Sequence, residues 1–270
     1  MAVFSLITLN CFGAATPFTR RRLVALANEL NQRTAHVVCL QEVQSHAHRR
    51  RLVRGCTSYS AHAFVPFIHA PKGGLLTLSR LTIEQSQFTL YRERGRWYTP
   101  AVADWVLHKG VLTTQVTVEG VPVSVLNTHL NANYSGDWRR QNRYARYEWQ
   151  QLQQLAEVIA GQPPDNLLIV AGDFNIPRGS WLYRDFLAMT GLFDPMAHDK
   201  RPTFRPPRGI PARYAVPIDF TLVRPATLPN FRATARLCFE EKVPVPGGRR
   251  LVYVSDHIGI ELEVTWGEEH

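Results

Sequence analysis

Several polar side chains in this sequence stand at the ends of strongly apolar runs. Asn10 closes Leu6-Ile-Thr-Leu9, Glu42 follows Val37-Val-Cys-Leu-Gln41, and His129 follows Val123-Ser-Val-Leu-Asn-Thr128. Asp173 and Asn175 follow Leu167-Leu-Ile-Val-Ala-Gly172, Asp219 opens another apolar run, and Asp256-His257 opens the last. Carboxylates and amide carbonyls are hard oxygen donors of the kind Mg2+ takes, and no His/Cys cluster recommends zinc. Mg2+ characteristically takes one or two protein carboxylates and completes its shell with water and substrate phosphate. Glu42 is therefore an economical primary ligand, with Asn10 beside it, and Mn2+ is the substitute to expect. Two histidines, each near an acid, have the chemistry of a base, an acid or a transition-state stabiliser. Each residue taken singly also has a plain reading: Asp173 as an Asx-turn beside Gly172, His129 as a hydrogen-bonded core histidine, Asn10 as a turn former. The set together is harder to explain that way, because strand ends in an α/β sheet converge on one edge, where ligands commonly bind.

The elements that must position these residues are legible from periodicity. Apolar Leu23, Leu26, Ala27 and Leu30 predict an amphipathic helix over Arg21 to Arg33, with Thr19 as its N-cap. Ala35 to Leu40 reads as a short buried strand, so the first 41 residues form a strand–helix–strand pattern. A strand is expected from Gly74 to Ser79, and Glu119-Gly120 signals a hairpin between Val111–Val118 and Val121–Thr128. Asp137 to Ala160 reads as one long helix with Tyr144, Leu152, Leu155, Ala156 and Ile159 near one face, stopped by Gly161 and Pro163-Pro164. Leu167 to Ala171, Ile218 to Val223 and His257 to Val264 are expected strands, and Trp181 to Thr190 a short helix. The Pro- and Gly-rich segments Arg201 to Pro217 and Val243 to Gly248 read as surface loops. Helices interspersed with strands and a hairpin imply an α/β protein with mixed sheets, read as one domain over residues 1–270.

Composition bounds the function without choosing it. With 45% apolar and 20% charged residues the chain can bury a sizeable core and is not a disordered polypeptide. A formal charge of +9, nearly all of it Arg, favours an anionic partner, although such bias equally reflects genome composition. No run approaches the roughly 20 apolar residues that span a bilayer, and the N-terminus reads as the first strand and not as a signal peptide. Cys11, Cys39, Cys56 and Cys238 lie far apart, without metal-ligand spacing, and suit free thiols in a reduced, cytoplasmic setting.

The motifs Thr8-Leu-Asn10, Leu40-Gln-Glu42-Val43, Asn127-Thr-His129-Leu130, Gly172-Asp173-Phe-Asn175, Ile218-Asp219-Phe220 and Ser255-Asp256-His257 resemble, in that order, those of the endonuclease/exonuclease/phosphatase superfamily. The resemblance runs from Thr8 to Val264 and includes the deoxyribonuclease I, abasic-site endonuclease, inositol polyphosphate 5-phosphatase and neutral sphingomyelinase branches. It implies a deoxyribonuclease I-like four-layer α/β/β/α sandwich, two mixed β-sheets with helices outside, and a Mg2+-dependent phosphodiesterase. It also implies roles. Glu42 would hold Mg2+ with Asn10 and Asp256 nearby, and His257, oriented by Asp219, would act as general base toward water. Asn175 and His129 would bind and neutralise the phosphoryl oxygens, while Asp173 would position the water or assist the leaving group.

Finer features lean toward the sphingomyelinase-like branch, whose segments are resembled by Leu9-Asn-Cys-Phe-Gly13, Gly73-Gly-Leu75 through Ser79-Arg80, Lys109-Gly110 and Thr128-His-Leu-Asn-Ala-Asn-Tyr134. Asn131 departs from that branch, which has a second His there, and neither its membrane-spanning C-terminus nor its bacterial secretion signal is seen. Trp97, Tyr98 and Trp105 are candidates for a lipid-facing or base-stacking surface, or for core strand positions. The expected partner is a phosphate ester, a phospholipid headgroup or nucleic acid, met by a monomer. A DNA or RNA nuclease is the alternative: Arg49-Arg-Arg51, Arg92 to Arg96 and Arg139, Arg140, Arg143 and Arg146 suit a phosphate backbone, or else a solvated helix face or loop. An inositol-phosphate phosphomonoesterase lacks its basic motifs here. A catalytically silent binder on the same scaffold would lack metal or base residues, and none is missing.

Overall fold

Apolar side chains that alternate along a strand bury both of its faces only if something packs on each side. The computed structural model, which describes all residues except 15, 17, 95–106, 208, 248–249 and 268–270, solves this with four layers. Its elements are β1 (Ala2–Asn10), α1 (Thr19–Asn31), β2 (Val37–Gln41), α2 (His46–Gly55), β3 (Ala61–Ala63), β4 (Leu76–Ser79), β5 (Gln85–Leu90), β6 (Gly110–Val118) and β7 (Val121–His129). The chain continues with α3 (Arg143–Ala160), β8 (Leu167–Asp173), α4 (Trp181–Thr190), β9 (Asp219–Arg224), β10 (Arg232–Cys238), β11 (Val243–Pro244), β12 (Leu251–Val252) and β13 (Gly259–Trp266).

Sheet one has the order β10-β13-β1-β2-β4-β3 and sheet two the order β5-β6-β7-β8-β9. Each is mixed: β1–β2 and β7–β8 are parallel, and their other neighbours are antiparallel. On β1, Phe4 and Leu6 face sheet two, whereas Ile7 and Leu9 pack against Leu23, Leu26 and Leu30 of α1. On β8, Leu167, Ile169 and Ala171 face sheet one, and Leu168 and Val170 meet Leu152 and Leu155 of α3 and Phe186 of α4. The expected α/β/β/α sandwich is the observed one. Each such fully buried aliphatic side chain contributes roughly 1.5–3 kcal/mol.

The layer between the sheets is not wholly apolar. Gln41 Nε2 donates to Asn127 Oδ1 at 2.8 Å, and Asn127 Nδ2 donates to the carbonyls of Leu40 and Leu76, both at 3.3 Å. Gln41 also donates to Thr8 Oγ1 at 3.1 Å. This buried network joins the two sheets directly beneath the strand ends that carry Asn10, Glu42 and His129.

Local boundaries differ from expectation where side chains compete with the helix. The long helix begins at Arg143, not Asp137, because Asn142 caps it by accepting from the Tyr144 amide at 2.8 Å. The preceding residues are held in turns, with the Asp137 carboxylate accepting from both the amide and the guanidinium of Arg139. Thr19 is the first residue of α1 and no N-cap, since its hydroxyl donates to the Ala14 carbonyl at 2.5 Å. Gly73-Gly74 forms a tight turn, so β4 starts at Leu76. Val243-Pro244, read as loop, pairs with β12, and the last strand runs from Gly259 to Trp266. Trp97, Tyr98 and Trp105 lie outside the described residues, as do Gly95 and Arg96.

Candidate active site

Register assembles one side of the site. His129 is the β-partner of Asp173, and Asp173 is the partner of Asp219, so the ends of β7 and β8 and the start of β9 place three candidate residues in one row. Gly172 makes this possible. It adopts φ +150°, and a Cβ there would sit 1.9 Å from the Thr128 carbonyl oxygen, so no other residue fits. Asn175 turns back with φ +54°, its amide N–H donating to Asp173 Oδ1 at 3.0 Å and its Nδ2 to the Leu130 carbonyl at 3.0 Å.

Sheet one supplies the facing side. Asn10 ends β1, and its Nδ2 donates to Glu42 Oε1 at 3.0 Å and to Asp173 Oδ2 at 2.9 Å, bridging the two sheets. Glu42 has φ +56°, a left-handed conformation rare for this residue type and of the kind found where the surrounding structure holds a functional side chain in place. Ser255 ties the last motif down: its Oγ donates to the Asn10 carbonyl at 2.6 Å and accepts from the His257 amide at 3.0 Å. His257 Nδ1 then lies 2.9 Å from Asp219 Oδ2, and its Nε2 stands 3.8 Å from Asp173 Oδ2. Phe204 packs beside the His257 ring at 5.0 Å between centroids. All eight predicted residues come together, and six of them (Glu42, His129, Asp173, Asn175, Asp256 and His257) line one cleft of about 530 Å3. Asn10 and Asp219 stand behind it as hydrogen-bond partners of Glu42, Asp173 and His257.

Charge is unevenly placed. Burial alone would lower the His257 imidazole, but the carboxylates of Asp219 and Asp173 outweigh it and hold it at about 10. Burial pushes Asp173 up to about 7, against the pull of His257 and with the push of Asp219. His129 is driven well below its usual value, by burial first and then by Lys109 and His257. Lys109 joins this cluster as a residue to which the sequence assigned no role. It is 1% exposed, with Nζ 2.9 Å from His129 Nε2 and 2.7 Å from the Leu130 carbonyl. An ammonium can only donate, so Nε2 accepts and the neutral ring carries its proton on Nδ1. Its advance signal was the Lys109-Gly110 pair of the sphingomyelinase-like resemblance.

Glu42 and Asp256 have the character of ligands for a hard divalent cation. Burial pushes both carboxyls up from their ordinary range, Asp256 adding to the rise at Glu42, and among the described residues neither has a salt bridge. Glu42 Oε1 and Oε2 accept only neutral amides, from Asn10 and from Gln44 at 3.2 Å, and Asp256 Oδ1 accepts from Ser255 Oγ at 3.2 Å. Asp173, Asp219 and His257 also place ligand atoms within 4.8 Å of one another. There the Nδ1–Oδ2 hydrogen bond already occupies the facing atoms, and a shared cation would have to break it. The donor set fits a divalent cation at Glu42 and Asp256.

The sandwich and the edge-bound cluster of acids, amides and imidazoles define a class of phosphate-handling protein. The chain belongs to the Endonuclease/Exonuclease/phosphatase family, whose sequence pattern matches residues 7–257. It is 27% identical over 193 residues to a Drosophila melanogaster protein provisionally named a neutral sphingomyelinase, covering 70% of this chain and 43% of that one. It is 29% identical over 176 residues to the inositol phosphosphingolipids phospholipase C of Schizosaccharomyces pombe, covering 63% and 40%. The matched stretches thus span less than half the length of these curated relatives. In fold it is similar to D. rerio TDP2 complexed with single strand DNA product (TM-score 0.77, 21% identity, 97% of this chain and 99% of that one). It is likewise similar to a Staphylococcus aureus beta toxin mutant with bound magnesium ions (TM-score 0.74, 15% identity, 97% and 99%).

Proposed function

We propose that this chain is a divalent-cation-dependent phosphodiesterase, with Mg2+ as the cation and a sphingomyelin-type phosphodiester as the substrate. The observation that carries the reading is the convergence of Asn10, Glu42, Asp173, Asp256 and the Asp219–His257 pair at one cleft spanning both sheets. The sphingolipid class is supported by the names of both sequence relatives, and the sphingomyelin headgroup by the first of them.

Phosphodiesters resist attack because the group is already anionic, so the barrier falls when charge is matched at the developing oxyanions. Glu42 and Asp256 would hold the cation, which when bound supplies Lewis-acid neutralisation of a phosphoryl oxygen. Asp219 accepts from His257 Nδ1–H, fixing the tautomer that leaves Nε2 toward the cleft. With a dication held beside Glu42 and Asp256 opposing the imidazolium charge, His257 would be the neutral base whose Nε2 takes the proton of the attacking water, and Asp173, 3.8 Å away, orients that water or hands a proton to the leaving oxygen. Lys109, seated on His129 Nε2, brings positive charge to the phosphoryl side, and Asn175 completes the oxyanion contacts.

The deciding assay is hydrolysis of bis-p-nitrophenyl phosphate, followed by sphingomyelin, with Mg2+, with Mn2+ and with EDTA. Turnover that needs the cation, and that Mn2+ partly restores, is expected. Undiminished turnover in EDTA, or none with either cation, would sink the reading.

A further inference from the structure

A guanidinium that leaves water gives up strong hydration, so it settles inside a protein only where acceptors replace what is lost. Arg205 is half-buried, and burial pulls its guanidinium below the ordinary arginine range. Its replacement acceptors are backbone carbonyls. Nη1 donates to those of Ser255 at 3.3 Å and His257 at 2.9 Å, and Nη2 to those of Phe239 at 3.1 Å and Glu240 at 2.9 Å. The backbone amide of Arg205 donates to the Asp256 carbonyl at 2.7 Å. One residue thus holds the consecutive carbonyls of Ser255, Asp256 and His257, and Arg22 Nη1 holds the preceding one, Val254, at 2.6 Å.

Arg205 ends a strap, Thr203-Phe204-Arg205, that crosses between the two members of the Asp219–His257 pair. Thr203 is fully buried. Its Oγ1 accepts from the amides of Ile218 and Asp219 at 3.0 and 3.1 Å, and its carbonyl accepts from the Ile258 amide at 2.6 Å. Phe204 forms an isolated antiparallel bridge with His257 and sets its ring 5.0 Å from the imidazole. The strap therefore grips the backbone on both sides of the 2.9 Å bond between His257 Nδ1 and Asp219 Oδ2. The segment from Arg201 to Pro217, loop-like in composition, is built into the site at this point.

We infer that Arg205 is a positioning residue for phosphodiester hydrolysis: its fork fixes the Ser255-Asp256-His257 backbone, and with it the aim of His257 Nε2 into the cleft. The inference rests on the phosphodiesterase reading and adds to it a residue that does not line the cleft. The His257 side chain springs from the peptide planes that Arg205 holds, so a backbone free to rock would swing Nε2 with it. A misplacement of about 1 Å can cost about 10²-fold in rate. The planar fork is what this task needs, since two nitrogens in fixed relation reach two pairs of carbonyls, whereas a lysine carries the charge on one flexible point. Charge alone does not account for the arrangement, because the guanidinium donates to carbonyls while the Asp256 carboxylate accepts from Ser255 Oγ.

The test compares the whole chain with Arg205→Ala and Arg205→Lys on two readouts. One is bis-p-nitrophenyl phosphate turnover; the other is the downfield proton resonance of His257 Nδ1–H, assigned as the one that His257→Ala removes. In folded Arg205→Ala, kcat should fall by about ten- to a hundred-fold with KM within about two-fold of wild type, and the resonance should shift or broaden. Arg205→Lys should show the same pattern, and methylguanidinium should return part of the lost rate to Arg205→Ala where methylammonium returns none. Wild-type kcat in folded Arg205→Ala, or an undisturbed resonance, overturns the assignment. So does rescue by methylammonium equal to that by methylguanidinium, since charge alone would then suffice. If Arg205→Ala does not fold, Arg205→Lys decides on the same two readouts. Wild type without turnover breaks the phosphodiesterase reading instead, and the resonance still decides whether Arg205 holds the Asp219–His257 pair.

Discussion

The two sheets contribute unlike halves to the cleft. Sheet one brings Glu42 and Asp256, carboxyls raised by burial, accepting only amides or a hydroxyl, and partly open to the cleft. Sheet two brings Asp173 and Asp219, buried and already engaged: Asp173 accepts from Asn10, and Asp219 faces the His257 imidazole. One half is an anionic pair that has no salt bridge among the described residues and that, on the proposed reading, a cation would complete. The other is a preorganised proton-transfer array that gains nothing by waiting. On the proposed reading, ligand affinity lies on sheet one and the acids of proton transfer on sheet two, with His257 reaching from beside Asp256 on sheet one across to Asp219, and with Asn10, Ser255 and the Gln41–Asn127 pair holding the layers in register.

The largest expected effect falls on the sheet-two acids and on His257, the sheet-one histidine that faces them. His257→Ala and Asp173→Ala should each lower kcat by at least about 10²-fold, with the Mg2+ concentration for half-maximal activity little changed. Near-normal turnover in either purified variant would remove that residue from the chemistry. Glu42→Gln should break the other half and show the reverse pattern. Its half-maximal Mg2+ concentration should rise by about ten-fold or more, excess Mg2+ should recover part of the rate, and the EDTA-treated protein should melt higher than wild type. The last point follows because removing a buried, uncompensated negative charge relieves the folded state. A variant with lower thermal stability in EDTA and normal Mg2+ affinity would contradict the division between the halves.

Asn127→Ala sharpens the comparison by loosening the seam. It strips Gln41 Nε2 of one acceptor and two carbonyls of a donor, a loss of roughly 1–3 kcal/mol in urea unfolding. Turnover should fall further than stability alone explains, because the halves no longer sit at a fixed separation. If kcat is untouched at full folding, the network is a packing device only.

Most of the site was legible in the sequence because its residues end apolar runs that bury both faces of a strand, leaving a sharp step from apolar to polar. Asn10, Glu42, His129, Asp173 and the Asp256-His257 pair all sit at such steps and all meet. What escaped was what no local period marks. In α2 Leu52 is the buried residue of the helix, so Arg49-Arg50-Arg51 gave no amphipathic signal; Arg50 is exposed, while Arg49 is half-buried over Phe64. The strands β5 and β10 are sheet edges, mostly open to solvent, with too few core positions to betray them. The arginines near the start of α3 suggested a phosphate track, yet Arg139 is bound to Asp137 and Arg140 to Asp185 at 2.8 Å each. Lys109 and the Gln41–Asn127 contact depend on which strands become neighbours, and spacing along the chain does not encode that.

The smallest expected effect is the most discriminating, because every sign is fixed beforehand. Without a cation, His257 is held at about 10 in the fold against an ordinary value near 6.5, so its stabilisation is complete below about pH 6.5 and is lost as pH rises through about 10. The raised carboxyls of Glu42, Asp256 and Asp173 act in the same sense, stabilising the fold while protonated and costing it as they ionise. His129, driven low, is neutral in both folded and unfolded chains above about pH 7 and adds no slope there. The melting temperature in EDTA should therefore fall steadily from about pH 7 to about pH 9. Saturating Mg2+ should flatten that decline, since a dication beside Glu42 and Asp256 supplies the positive charge that protons had supplied. A decline equally steep with and without Mg2+ would mean that the cation does not bind between these carboxylates, and that the sheet-one half has another purpose.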